Sequence, residues 1–371
     1  MDNARARQLA DRFQAPHGNA QLTPTRTPVR TFTVKSLSSA DEARWDIFVS
    51  TRPEATFFHR VAWAHVIEEA FGHRTHYLYA DGADGIAGVL PLVEMKSRLF
   101  GHALVSTPFC VYGGIVADTP GAERALRAAA CNLADNLGVD YLELRNLQPG
   151  PADWPTKSLY VTFRKALDPD PQANLMAIPR KQRAMIRKAE ACGLRVEIDE
   201  DVDRGYNLYA ESVRNLGTPV FSRRYFRLLK ARFGEDCEML TVLHDDRPVS
   251  AVMSFYFRDE VLPYYGGGGS FARVVKANDF MYWQTMCRGI ERGARLFDYG
   301  RSKRGTGAYR FKTHWGFEPQ PLYYQYHLVR AKQVPDISPN NSRYRPFINA
   351  WQRLPLPVSR MVGPWIARNL G

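Results

Sequence analysis

The sequence predicts a mixed α/β fold that is built twice. The first observation is a repeated order of helix, strand, turn and strand. In one copy Phe57, Trp63 and Phe71-Gly72 lead into apolar strands at 76–80 and 86–93, joined by an Asp/Gly turn. In the other, Phe221, Phe226 and Phe233-Gly234 lead into strands at 238–243 and 248–257, joined by Asp245-Asp246. The second observation is that both copies close alike: residues 136–143 align with 292–298, a helix that stops at glycine and feeds a short buried strand. The repeat unit is therefore domain-sized and not a solenoid repeat. Third, helical and extended patterns alternate along the chain, which means α/β or α+β mixed sheets with helices on the faces, not a bundle or a sandwich.

The elements follow in chain order. Residues 1–29, rich in Arg, Gln, Thr and Pro, read as a loose tail without the apolar core of a secretory signal. The first domain is expected over 30–150. It holds a strand at 31–35, a helix at 41–50 capped by Ser39 or Asp41, an amphipathic helix at 60–71, strands at 76–80, 86–95 and 103–106, and an alanine-rich helix at 122–137. Residues 151–175, rich in Pro and Asp, form the connector, with 159–165 able to pair as a strand. The second domain, 176–330, opens with a basic helix at 179–192 and continues through a strand at 195–198, helices at 202–216 and 223–233, a strand at 261–265 and a helix at 279–292. In the tail, 331–371, prolines interrupt short amphipathic pieces. Trp351, Leu354, Val358, Met361, Val362, Trp365 and Ile366 line one side and Arg353, Arg360 and Arg368 another. That tail either packs back over the domains or lies on an acidic membrane surface.

The chain has 371 residues and is 45% hydrophobic, enough for two cores. No apolar run approaches the roughly 20 residues that cross a bilayer. A cytoplasmic protein is expected, with peripheral contact to the inner face of the membrane as the second of the two options for its tail. Five scattered cysteines without C-x-x-C spacing argue against a disulfide framework or a zinc site. The net charge of +12 favours an anionic partner. The histidines form no H-E-x-x-H pattern and no G-x-S-x-G elbow is present, so metallohydrolase and serine hydrolase chemistry lack their residues, and no metal is expected.

Three constellations carry candidate chemistry. The densest is the run from Leu296 to Ser302, followed by Gly305, Gly307, Tyr309, Arg310, Phe311, Lys312 and Trp315-Gly316. Five cations and no acid lie between Arg301 and Lys312. A strand that ends in Asp298-Tyr299-Gly300-Arg301 and opens into a basic, glycine-rich loop puts charge at the carboxyl edge of a sheet, where ligands of open α/β sheets bind. Tight turns and solvated arginines are the plainer reading. Next comes Gly266 to Ser270 after the strand ending in Tyr265: successive glycines let backbone N–H groups converge on one anion ahead of a helix N-terminus, so Gly267, Gly268, Gly269 and Ser270 are candidate contacts for a donor's phosphates and Tyr265 for the substrate. Third, Arg180, Arg183 and Arg187 share a helix face and repel one another unless an anion answers them, which makes Arg183 and Arg187 candidate phosphate contacts. No helix-turn-helix or finger spacing accompanies them, so sequence-specific DNA binding is not expected.

The run from Phe297 to Ser302, together with that from Tyr309 to Gly316, resembles the FemAB group, relatives of the peptidoglycan-bridge aminoacyltransferases built from two tandem GNAT-like acyltransferase domains. The resemblance covers roughly residues 30–330, and the duplication is what such a tandem leaves in a sequence. The tail from Trp351 to Pro357, with Gly363-Pro364 and the run from Ala367 to Gly371, further resembles the subgroup associated with exosortase (PEP-CTERM) and exopolysaccharide systems. The resemblance implies transfer of an acyl group, in the best-known members an amino acid carried as a tRNA ester, to an amine of an envelope precursor. It also implies that Phe311-Lys312 matches the family's Phe-Lys pair beside the reacting ester. Attack on an ester builds negative charge on oxygen, which an ammonium stabilises. Lys312 is the candidate for that role, with Arg301, Tyr309, Arg310 and Phe311 around the substrate and Asp298 as proton acceptor or buried orienter. The long helical arm of several tRNA-using members and the Gln/Arg-x-x-Gly-x-Gly/Ala signature of CoA-using enzymes are both missing. The donor therefore stays open between aminoacyl-tRNA and acyl-CoA, with no permanently bound cofactor and an envelope or polysaccharide precursor as acceptor. A CoA-dependent N-acetyltransferase and a non-catalytic adaptor of polysaccharide export machinery are the alternatives.

Overall fold

A computed structural model describes residues 31–97, 100–335 and 345–370. The expected N-terminal tail at 1–29 lies outside them. The first half runs β1 (Thr33–Ser36), α1 (Glu42–Thr51), α2 (Ala62–Phe71), β2 (Arg74–Gly82), β3 (Gly85–Ser97), β4 (Gly101–Ser106), β5 (Val116–Ala117), α3 (Pro120–Leu137) and β6 (Tyr141–Asn146). The connecting stretch gives β7 (Thr156–Lys157), β8 (Tyr160–Thr162), β9 (Arg164–Ala166) and α4 (Pro171–Ala177). The second half runs α5 (Arg180–Ala191), β10 (Arg195–Asp199), α6 (Asp203–Asn215), α7 (Arg223–Phe233), β11 (Cys237–His244), β12 (Arg247–Phe257), β13 (Glu260–Gly268), α8 (Ala277–Glu291), β14 (Leu296–Asp298), β15 (Ser302–Lys303), α9 (Gly307–His314), β16 (Gln320–Pro321) and β17 (Tyr323–Leu328). Two tail helices follow, α10 (Arg345–Gln352) and α11 (Leu356–Ala367).

Local chemistry explains the boundaries. The Thr119 side chain accepts from the Ala122 N–H, Pro120 occupies the first turn of α3, and Gly138 ends the helix at φ 57°. Ala122, Leu126, Ala130 and Ala134, four apart, form the buried stripe of α3. Asp245 and Asp246 both take positive φ, 47° and 61°, the conformation that a two-residue hairpin between β11 and β12 requires.

The same sheet is built in each half. In the first the order is β1-β2-β3-β4-β6-β17-β7, with β5 on β3; in the second it is β10-β11-β12-β13-β14-β9. Each contains one parallel pair, β4 with β6 and β13 with β14. The halves also trade strands. β17, which follows α9, inserts beside β6 in the first sheet, and β9 from the connecting stretch pairs with β14 in the second. Helices cover both faces: α1 and α2 lie on one side of the first sheet and α3 on the other, while α6 and α7 oppose α5 and α8 in the second. Aromatic rings join the halves, since Phe57 lies 4.5 Å from both Phe233 and Phe255.

One boundary differs from the sequence reading. A strand ending at Tyr265 and a glycine loop were expected, but β13 continues through Gly266, Gly267 and Gly268, paired with Val252, Ala251 and Ser250 of β12. A Cβ on Gly267 would lie 2.6 Å from Ser212 Cβ and 3.1 Å from Tyr209 Cα, so the glycine permits the close approach of α6 to the strand.

Candidate active site

The parallel pairing of β13 with β14 stops early. Glu260 and Val261 face Leu296 and Phe297, and beyond them β13 runs on to Gly268 with β12 on one side and no strand on the other, while β14, which pairs β9 on its far side, ends at Asp298. The chain after β14 passes through Tyr299 and Gly300, whose φ of 64° bends it, and presents Arg301 next to that gap. The other wall comes from the first half. The loop after β4 carries Thr107 and Phe109 at φ 43° and 69°, a strained conformation for a β-branched and an aromatic residue. The Tyr264 hydroxyl donates to the Phe109 carbonyl at 2.9 Å and that of Tyr324 to the Val111 carbonyl at 2.6 Å, fixing the loop against β13 and β17.

Two buried arginines in this region are paired with carboxylates, whereas Arg301 is not. Arg145 Nε bonds Glu143 Oε1 at 2.7 Å and Arg145 Nη1 donates to the Cys110 carbonyl at 2.8 Å. Arg164 bridges Glu260 at 2.5 Å and Asp298 at 3.2 Å. Arg301 has no carboxylate among the described residues. Its guanidinium lies 4.7 Å from the Tyr160 ring and 5.7 Å from that of Tyr324, and Nη1 donates to the Tyr324 hydroxyl at 3.2 Å. A guanidinium does not give up its proton in a protein, so this largely desolvated cation stays charged and lacks a counter-ion. Cys110 is also close, but burial pushes its thiol well up, so it is no nucleophile.

Lys312 and Asp298 hold this arrangement from behind. The Lys312 ammonium donates to the carbonyls of Tyr299 at 2.7 Å, Gly300 at 3.0 Å and Arg301 at 3.2 Å. Burial lowers its pKa to about 7, against the opposing pull of the Asp298 carboxylate. The family resemblance puts Lys312 beside the reacting ester; in the structure its three N–H donors are directed at the carbonyls of the loop that presents Arg301. Asp298 has no side-chain exposure. Its Oδ1 accepts from the Gly300 N–H at 2.7 Å and its Oδ2 from the Tyr112 hydroxyl at 2.8 Å, with Thr162 Oγ1 3.4 Å from Oδ1. Burial raises its pKa while Arg164 and these donors oppose the shift. Of the two roles expected for Asp298, the contacts match the orienter.

The remaining sequence candidates scatter. Tyr309 is half-buried with its ring 5.4 Å from Phe163, Phe311 sits among Tyr282, Tyr299 and Trp315, and Arg310 is exposed. The Tyr265 hydroxyl bonds that of Tyr225 at 2.8 Å inside the core, away from solvent. Arg183 Nη1 donates to the Met176 and Ile178 carbonyls at 2.6 and 3.1 Å, so it closes the end of α4, whereas Arg187 is exposed. Gly267 and Gly268 belong to the β12–β13 ladder, and the Gly269 N–H donates to the Val249 carbonyl at 3.1 Å. The N–H groups of Ala272, Val274 and Val275, which follow Ser270, donate back to Gly269 and Phe271. The N–H of Gly269 and those of Ala272, Val274 and Val275 are therefore used within the chain.

Sequence reasoning missed Tyr112, Arg145, Tyr160, Arg164, Tyr264 and Tyr324. One signal was available: Glu143 and Arg145 are opposite charges two apart in a strand, flanking Leu144, so they share a face and must pair when buried.

A strand, two helices, an antiparallel run and then a parallel strand pair that separates at its end, occurring twice in one chain, define a tandem GNAT-like fold. Residues 179–313 match the family described as Acetyltransferase (GNAT) domain. Among solved structures the chain is similar to the crystal structure of FemX, with a TM-score of 0.62 at 14% identity over 80% of this chain and 98% of that one. It is also similar to the C-terminal domain of a putative lysylphosphatidylglycerol synthetase from Agrobacterium fabrum, with a TM-score of 0.53 at 12% identity over 78% and 92% of the two chains. A tandem GNAT protein from the clavulanic acid biosynthesis pathway gives a TM-score of 0.51 at 14% identity over 82% and 100%. At these identities the likeness is one of fold. No curated protein matches the chain.

Proposed function

We propose that the chain is an acyltransferase that moves an aminoacyl or acyl group from an activated ester onto an amine of a cell-envelope or exopolysaccharide-related acceptor, in the manner of the FemAB group and of its exosortase-associated subgroup. The observation that carries this reading is the unneutralised guanidinium of Arg301 beside the gap between β13 and β14. In the transfer, the amine nitrogen bonds to the carbonyl carbon, the ester C–O bond breaks, and the amine proton leaves with the departing oxygen. Negative charge builds on the carbonyl oxygen, and a fixed cation in a water-poor setting stabilises it without reorganisation. Arg301 supplies that charge in this reading. Lys312 and Asp298 are positioning residues that hold the 299–301 turn, and Tyr160 and Tyr324 hold the planar guanidinium in place.

An aminoacyl ester suits the turn after β13 better than acyl-CoA. The N–H groups of Gly269, Ala272, Val274 and Val275 are donated within the chain, which leaves that turn fewer amides for a pyrophosphate. Such a donor is made in the cytoplasm, which places the reaction there. The test offers purified protein either aminoacyl-tRNA or acetyl-CoA, with hydroxylamine as a surrogate amine, and follows the hydroxamate by mass spectrometry. Product from the tRNA ester supports the reading; product from acetyl-CoA alone assigns an N-acetyltransferase; none from either leaves the adaptor.

A further inference from the structure

We propose that α11 docks the protein on an acidic lipid bilayer through the face that bears Met361 and Trp365. The sequence offered two fates for the tail, and the structure packs one side of α11 on the body while leaving the other side open. Ser359, Gly363 and Ala367, spaced by four, are buried against the body. A Cβ on Gly363 would lie 3.0 Å from the backbone N and O of Val220, so the helix sits directly on that backbone. The end of α11 is tied to the first half: His73 Nε2 donates to the Arg368 carbonyl at 2.6 Å and Arg368 Nη2 to the Phe71 carbonyl at 2.5 Å. The helix is thus anchored before anything binds it.

Its outer side is the reverse of a soluble surface. Met361 is 73% exposed and Trp365 79%, on the face that also carries Pro357 four residues earlier. Trp45, Trp63, Trp283, Trp315 and Trp351 are all buried, so the exposure of Trp365 departs from the use of tryptophan elsewhere in the chain. The apolar side expected from sequence therefore splits, with Trp351 inward and Trp365 outward. Arg360 and Arg368 lie on or at the end of α11 and donate to the Asn207 and Phe71 carbonyls, Arg345 and Arg353 lie in the segment before it, residues 345–370 contain no Asp or Glu, and none of the four arginines has a carboxylate partner among the described residues.

Exposed apolar side chains on a segment that carries four arginines and no acid complement a surface that is oily below and anionic above. Tryptophan prefers the headgroup boundary, and arginine gains from anionic lipid within a Debye length. A second copy of the chain fits less well, because a two-fold contact would set the same four arginines against each other. Insertion would be shallow, since no described helix is long and apolar enough to cross a membrane. This inference does not rest on the acyl-transfer reading.

Flotation of the full chain with phosphatidylcholine vesicles, with and without phosphatidylglycerol, tests it. Binding is expected only with phosphatidylglycerol, falling steeply as salt rises. The double substitution M361S/W365S, at two exposed positions that leave the thermal midpoint unchanged, is expected to weaken binding about tenfold, and R353E to weaken it further. Brominated lipid is expected to quench tryptophan emission in the native chain and not in W365F. No binding to the acidic vesicles, equal binding to neutral ones, or equal binding by the double variant would overturn the proposal. So would a lipid-free dimer that the double variant dissolves, which would assign the face to a second copy.

Discussion

Tyr112, in the loop after β4, donates its hydroxyl to Asp298 Oδ2 across the two halves at 2.8 Å. The carboxylate it meets is fully buried and also bonds Arg164, so the contact couples the strained loop of one half to the turn that presents Arg301 in the other. Y112F leaves that carboxylate one donor short and is expected to cost about 1–3 kcal/mol. D298N removes the charge opposite Arg164 and is expected to cost more, about 3 kcal/mol or above. Urea unfolding measures both; a Y112F protein as stable as the parent would show that the halves do not depend on this bond.

Lys312 gives the site a pH dependence of definite sign. Its folded pKa is about 7 and its ordinary value 10.5, so the folded chain binds fewer protons than the unfolded chain between those limits and stability rises with pH across them. Activity is expected to move the opposite way. As pH rises through about 7 the ammonium loses a proton, one N–H to the 299–301 carbonyls disappears, and the Arg301 turn loosens. The profile of kcat/KM should fall on its alkaline side near that pH, and K312M should be slower and flat over the same range. A K312M profile that keeps the alkaline limb would place the titrating group elsewhere.

How much of this was legible in the sequence follows from which interactions are local. The duplicated order, the glycine stops at Gly138 and Gly293 and the Asp245-Asp246 hairpin depend on period and turn chemistry, and they appear where the residues put them. The trade of β17 and β9 between sheets was not legible, because strands of six and three residues carry no sign of which edge they will join. The run from Asp298 to Lys312 was recognised as a unit, yet the direction of Lys312 depends on three carbonyls whose placement follows from the turn at Gly300. Arg301 was identified without its surroundings, since Tyr160 and Tyr324 reach it through tertiary folding alone. The packing role of Gly267 was not legible for a physical reason: a glycine that lets a helix lie on a strand looks the same in sequence as one that lets amides face an anion.

His59 should set the acid limit of stability. Its Nδ1 accepts from the Thr56 N–H at 3.1 Å and Nε2 therefore donates to the Gly114 carbonyl at 2.9 Å, the neutral tautomer. Burial lowers its pKa from 6.5 to about 4. The folded state resists protonation, so this contribution is complete above about 6.5 and is lost as pH falls toward 4, amounting to about 3 kcal/mol. Denaturant titrations of the native chain and H59Q should converge across that window; parallel curves would contradict the assignment.

Gly267 separates packing from ligand binding. An alanine there would press on Ser212 and the backbone of Tyr209, so G267A is expected to cost about 1–3 kcal/mol. Thermal unfolding without any ligand detects it. Were the glycine kept for a donor phosphate instead, G267A would unfold normally and bind the donor poorly.

The most direct test is single-turnover aminolysis of an aminoacyl-tRNA ester by hydroxylamine, comparing the native chain with R301Q. Arg301 lies at the gap between β13 and β14 and has no carboxylate partner among the described residues, so the neutral replacement should fold while the rate drops about 100-fold or more. A rate within twofold of the native value would show that no charge at this position meets the reacting carbonyl.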